Sequence, residues 1–293
     1  MAEELFGKDE IYVGRDFGRY EFEISRELVE KYVAGTGDDN PWYRGASPLG
    51  YAIAPALVLH SAVYVNLDWY LPNIYGNLHA RQEWESFAPV PVGEKVTTHR
   101  FIVDRYRKRD REYVVAELLA FSRDQRVLWR GRTHQSFLID GATPQGFAVD
   151  KSREKAPERT FKVGEGPGER IKTAPRTITE AMCMAFSGPQ RNYHTDREKA
   201  RELGFPDIVV QGMLSVCLVS AMMTERFGLG FYYGGRLDLR LVNVVWCNDT
   251  VLTQGRVIER IPEGKHTRVM LEVWSEKSDG TKTIVGSASA LDL

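Results

Sequence analysis

The stretch Phe186 to Leu214, F-S-G-P-Q-R-N-Y-H-T-D-R-E-K-A-R-E-L-G-F-P-D-I-V-V-Q-G-M-L, decides how the rest of the chain is read. It runs from the end of a short helix through a loop carrying His194 into an apolar lead-in, and a second, apolar helix extends from Gln211 to about Phe227. A loop histidine in front of a helix N-terminus suits the polarisation of a carbonyl, because the helix end offers amide donors and favours negative charge.

Working outward, T-I-T-E at Thr177 offers a capping box for the first of these helices, and a short strand near Arg170 to Thr173 precedes it. After the second helix come strand patterns at Arg236 to Val245, Thr250 to Arg260, Thr267 to Trp274 and Thr281 to Leu291. The same order occurs earlier in the chain. A strand at Arg19 to Ile24 leads to a helix capped by Ser25 and running to about Val33, and a cluster of turn formers, G-T-G-D-D-N-P-W-Y, fills Gly35 to Tyr43. A nearly continuous apolar helix is expected from Ala54 to Leu71, stopping at Pro72, followed by strands at His79 to Phe87, Glu94 to Tyr106, Tyr113 to Arg123 and Arg126 to Ile139.

The recurrence predicts a duplicated unit, with repeats over 1–140 and 170–293 joined by a Gly, Pro, Lys and Glu-rich linker over 141–169. Gly37 matches Gly188 at an offset of 188 − 37 = 151. The turn in S-F-A-P-V-P-V-G-E-K-V (Ser86 to Val96) matches that in L-V-N-V-V-W-C-N-D-T-V (Leu241 to Val251) at 248 − 93 = 155. A buried helix followed by a strand meander implies an α+β fold with antiparallel sheet wrapped around a helix.

Composition narrows the function. With 293 residues, 43% hydrophobic, the chain can bury a full core. A net charge of −1, from 39 basic and 40 acidic residues, gives no broad attraction to nucleic acid or an anionic membrane. Cys183, Cys217 and Cys247 are odd in number and without a C-x-x-C pair, which predicts buried reduced thiols. An acidic N-terminus and the lack of a long apolar run predict a cytoplasmic protein with no membrane segment, and no metal or cofactor is expected.

The two loops, G-D-D-N-P-W-Y and S-G-P-Q-R-N-Y-H-T-D, each followed by a buried helix and a strand meander, resemble the MaoC-like and (R)-specific enoyl-CoA hydratase 2 superfamily. The family motif is G-D-x-N-P-hydrophobe-H. The resemblance is to the double-hotdog form, with a dehydratase-like N-terminal half and a MaoC-like C-terminal half, and it implies two antiparallel sheets, each wrapped around a central helix. It also implies a hydratase or dehydratase acting on an enoyl or 3-hydroxyacyl thioester of CoA or a carrier protein, and assembly as a homo-oligomer or with another hotdog chain. In such enzymes the Asp and His activate a water and an amide at the helix start binds the thioester oxygen, which would make His194, Asp38 and the Gly212 amide catalytic. Asn40, Tyr43, Arg191, Asn192, Asp196, Gln211 and Met213 would be substrate-binding.

The match is incomplete in both loops. The second has Pro189 in place of Asp, Arg191 in place of Asn and Asn192 in place of Pro; the first keeps Asp38, Asn40 and Pro41 but has Tyr43 in place of His. Asp196 then stands as an alternative partner to orient His194. Bland readings exist for each residue: a solvated loop histidine, a turn-capping Asp38, a surface Arg191, a glycine that only permits close packing. Two other functions fit such loops, a catalytically degenerate thioester-binding or partner subunit and a hotdog thioesterase.

Overall fold

The computed structural model describes residues 12–60, 62, 78–108, 111–138 and 161–293. The N-terminal repeat contributes β1 (Asp16–Glu23), α1 (Arg26–Thr36), a 3-10 turn (Pro41–Arg44), β2 (Leu78–Ser86), β3 (Lys95–Lys108), β4 (Arg111–Phe121) and β5 (Val127–Leu138). The C-terminal repeat contributes β6 (Arg170–Lys172), β7 (Arg176–Thr177), α2 (Glu180–Ser187), α3 (Arg197–Glu202), α4 (Gly212–Phe227), α5 (Leu229–Gly234), β8 (Arg236–Leu241), β9 (Thr250–Glu263), β10 (His266–Lys277) and β11 (Lys282–Asp292).

These strands do not form two separate sheets, as the resemblance implied. They form one 11-stranded sheet in the order β1-β3-β4-β5-β2-β8-β11-β10-β9-β6, with β7 also on β9 and every pairing antiparallel. The join is β2 against β8, where Trp84 opposes Leu237 and Glu83 opposes Asp238. An edge strand carries unpaired amides and carbonyls, and this pairing satisfies both inner edges at once.

The duplication is visible in backbone detail. An extra residue interrupts the register at Val103 in β3 and at Ile258 in β9, 155 residues apart. The isolated bridges Ile53 to Pro91 and Val209 to Trp246 repeat at the same places, and the turn residues Gly93 and Asn248 both have positive φ, +94° and +69°. Glu83 and Asp238 are themselves 155 apart and face each other, so the pseudo-twofold axis passes between them.

In the C-terminal repeat α4 is apolar on nearly all sides and buried from Met213 to Ser220. In the N-terminal repeat the expected helix from Ala54 to Leu71 differs: its described beginning is a run of turns, with Val58 N donating to the Pro55 carbonyl and His60 N to that of Leu57, and residues 63–71 lie outside the described residues. α1 and α2 meet near the axis, where a Cβ on Gly35 would lie 2.9 Å from that of Phe186. Of the expected linker, 141–160 lies outside the described residues, while Gly164 N donates to Glu272 and Glu169 pairs with Arg226 and Arg260 of the C-terminal repeat. All three cysteines are buried free thiols.

Candidate active site

Asn192 shapes the loop that carries His194. Its Oδ1 accepts from the His194 amide at 2.8 Å and its Nδ2 donates to the carbonyls of Ser187 and Gln190, so an Asx-type turn presents the imidazole. His194 Nδ1 lies 2.7 Å from the Val209 carbonyl oxygen. A carbonyl only accepts, so Nδ1 carries the proton and Nε2 keeps its lone pair. Burial lowers the pKa of the ring to about 4 against the opposing pull of that carbonyl, and no carboxylate contributes. The imidazole is therefore neutral at pH 7, a base held in one tautomer.

Val209 is itself fixed, its amide bonded to the Tyr193 carbonyl and its backbone bridged to Trp246. Three residues on, Gly212 opens α4, and the N-cap residue Gln211 makes no side-chain bond to the first turn. The amides there are left for another acceptor. A Cβ at Gly212 would lie 2.5 Å from Leu241 Cδ2 and 3.1 Å from His79 Nδ1, so glycine is required by close approach. His79 comes from β2 of the other repeat, and burial lowers its pKa to about 4.

The first loop is organised differently. α1 ends at Gly37, with φ +67°, and the Asn40 side chain caps the 3-10 turn by accepting from the Trp42 amide. That turn brings Tyr43 back so that its hydroxyl donates to Asp38 Oδ2 at 2.6 Å. Burial raises the Asp38 pKa, while the Tyr43 bond and the nearby Arg176 of β7 act in the opposite direction. Tyr232 of α5 completes the corner: its hydroxyl donates to the Ala54 carbonyl at 2.9 Å.

The expected residues thus divide into two groups. Asp38 and Tyr43 form one pair; His194, Gln211 and Gly212 gather at the other corner. Asp38 is not the partner of His194. Nor is Asp196, which caps α3 by accepting from the Lys199 amide and pairs with Arg191, whose pull takes its pKa down to about 2. Arg191 is an exposed cation spent on Asp196 and Glu198. Asn40 and Asn192 hold turns, and Met213 is wholly buried. Sequence reasoning missed His79, Arg176 and Tyr232, each of which reaches across from the opposite repeat; only the strand pairing of β2 with β8 brings them there.

Residues 12–128 match the FAS1-like dehydratase domain region family and residues 162–276 the MaoC like domain family. Among solved structures, a MaoC-like dehydratase superposes with a TM-score of 0.72 at 15% identity, covering 94% of this chain and 98% of its own. A Mycobacterium tuberculosis protein with a double hotdog fold gives 0.62 at 14%, with 97% of each chain covered. Peroxisomal multifunctional enzyme type 2 from Drosophila melanogaster gives 0.64 at 17%, covering 93% of this chain and 48% of that enzyme. No curated protein matches the sequence. No helix among the described residues is long and apolar enough to cross a membrane, and no group of side chains there could hold a metal ion. The shared fold, the repeated register and the two family matches agree: the chain has a fold similar to that of double-hotdog proteins, with a FAS1-like dehydratase region over residues 12–128 and a MaoC-like domain over residues 162–276.

Proposed function

We propose that the chain is a hydro-lyase that interconverts an enoyl thioester and its 3-hydroxyacyl counterpart, with CoA as the carrier and the repeats 1–140 and 170–293 as its two hotdog units. The observation that carries this reading is the fixed tautomer of His194, whose Nδ1 is held by the carbonyl of Val209, three residues ahead of Gly212. In the hydration direction Nε2 takes a proton from water as the oxygen bonds to C3. The C2–C3 π electrons move toward the thioester oxygen, which the Gly212 amide stabilises, and the imidazolium then returns the proton to C2.

One residue therefore handles both protons, because Pro189 supplies no carboxylate. Acid/base groups of this kind contribute about 10²-fold or more. His194→Ala is expected to lower kcat/KM for crotonyl-CoA by about that factor, read from the loss of enoyl-thioester absorbance. Unchanged turnover would remove His194 from the chemistry.

The absence of any carboxylate acting on His194 favours one second reading, a thioester-binding partner subunit. Acyl-CoA binding without turnover, with activity emerging only on mixing with another hotdog chain, would select it.

A further inference from the structure

We propose that the acyl chain handled beside His194 carries a hydroxyl group, read by the side-chain oxygens of Gln135 and Gln211. The inference rests on the thioester reading above and names the chemical class of its substrate.

A β-bulge sets up this corner. Arg81 opposes His134 and His79 opposes Gln135, so Ala80 is an extra residue in β2. One extra residue turns the strand beyond it to the other face, and His79 therefore shares the inner face with Gln82 and Trp84 instead of pointing outward. Its Cβ and Nδ1 come within 3.3 and 3.1 Å of where a Cβ on Gly212 would be. Directly opposed residues on one face have Cβ atoms about 4.5–5.5 Å apart, so Gln135 stands one side chain away from the start of α4.

The duplication shows how unusual this face is. Gln82 opposes Thr133 as Leu237 opposes Ala288, and Val114 opposes Gln135 as Val269 opposes Ala290, each position offset by 237 − 82 = 155. In the C-terminal repeat Leu237, Ala288 and Ala290 belong to the apolar core together with α4. In the N-terminal repeat the same three places hold Gln82, Thr133 and Gln135, none more than 3% exposed. Amides and a hydroxyl at core positions cost free energy unless each finds a partner.

Most of them find one within the sheet. Thr133 Oγ1 donates to Gln82 Oε1 at 2.9 Å, Gln82 Nε2 donates to the Glu83 carbonyl at 2.9 Å, and the His79 ring is bonded to the Gln82 side chain and the Arg81 backbone. Gln135 Oε1 does not, and neither does Gln211 Oε1 in the residue just before Gly212: both atoms are buried without a hydrogen-bond partner among the described residues. Amide oxygens only accept, so whatever completes them brings a donor. An alkyl chain would leave both unmet, whereas a hydroxyl supplies the hydrogen bond. The amide N–H groups of a CoA or carrier arm are the other source of donors, and varying the acyl chain alone tells the two apart.

The test compares kcat/KM of the full chain for crotonyl-CoA against 4-hydroxycrotonyl-CoA and for 2-hexenoyl-CoA against 6-hydroxy-2-hexenoyl-CoA. The hydroxylated ester is expected to be favoured by about tenfold or more in at least one pair. Gln135→Met and Gln211→Met keep the bulk and remove the acceptor, and each should bring that ratio toward one. Melting curves separate lost recognition from lost fold, and the two substitutions report independently if one fails to fold. A wild-type ratio near one in both pairs, or a preference that survives both substitutions, overturns the proposal and leaves the hydro-lyase reading intact. Equal losses on both members of a pair assign the glutamines to the thioester arm and overturn it too. If the wild type turns over none of the four esters, the hydro-lyase reading fails, and calorimetric affinities for the saturated counterparts decide: the same preference, lost in Gln135→Met, keeps the hydroxylated chain, and equal affinities reject it.

Discussion

Three histidines are held neutral by burial, and each sits where the repeats meet or at a helix start. The pKa values of His79 and His194 fall to about 4 and that of His60, stacked on Phe186 at 3.8 Å, to about 3. In the unfolded chain these rings take protons near the ordinary value of 6.5. Between pH 6.5 and about 4 the unfolded state therefore binds more protons than the folded one, and stability rises with pH across that window. Their contribution is complete above pH 6.5 and is lost as pH falls toward 4. Asp38, raised by burial, acts in the opposite sense, one carboxyl against three imidazoles. The urea midpoint should drop steadily from pH 7.5 to 4.5, and kcat/KM should show no His194 inflection near pH 6.5 while the protein stays folded. A flat midpoint would mean that the rings are solvated. At this scale the sequence was half legible. The spacing from His194 to Gly212 and the loss of the carboxylate at Pro189 could be read directly, but the partner that fixes the tautomer is a backbone carbonyl, to which the identity of Val209 gives no clue.

Helix ends show what local signals decide and where the sheet overrules them. Ser25 caps α1 as its sequence indicates, accepting from the Leu28 amide. T-I-T-E suggested a start at Thr177, yet Thr177 pairs with Thr250 in the sheet and Thr179 does the capping, two residues later. Strand pairing competes for the same backbone, and in this case it wins. α3 went unread because five polar residues and the single apolar Ala200 carry no periodicity, although Asp196 is an ordinary N-cap. The C-cap of α1 gives a test. Gly37 is left-handed, and a side chain there costs about 1–2 kcal/mol in backbone conformation alone. It would also displace the Arg176 guanidinium from beside Asp38. At roughly 2–4 °C per kcal/mol for a domain of this general size, Gly37→Ala should lower Tm by about 2–8 °C. An unchanged Tm would show that the loop relaxes without strain.

At the scale of the whole molecule, the duplication explains why neither corner stands alone. Arg176 and Tyr232 of the C-terminal repeat close the Asp38 corner, and His79 of the N-terminal repeat lies against Gly212. The meander of strands and the repeat itself were legible from alternation and from the two offsets. The joining of both meanders into one sheet was not, because antiparallel pairing of β2 with β8 leaves no mark in either strand's pattern. That join carries a bidentate pair from Arg81 to Asp238 across the axis. A fragment of residues 161–293 would keep β9, β10 and β11 but leave β8 an open edge, with the Tyr32-facing side of α4 uncovered. The same geometry that pairs β8 with β2 would pair it with β8 of a second fragment, since the two strands are equivalent about the axis. The fragment should therefore run as a dimer or aggregate in light scattering after gel filtration, and form a soluble complex when co-expressed with residues 1–140. A monodisperse monomer with native-like circular dichroism would show that each repeat is stable by itself and that the continuous sheet joins two independent units.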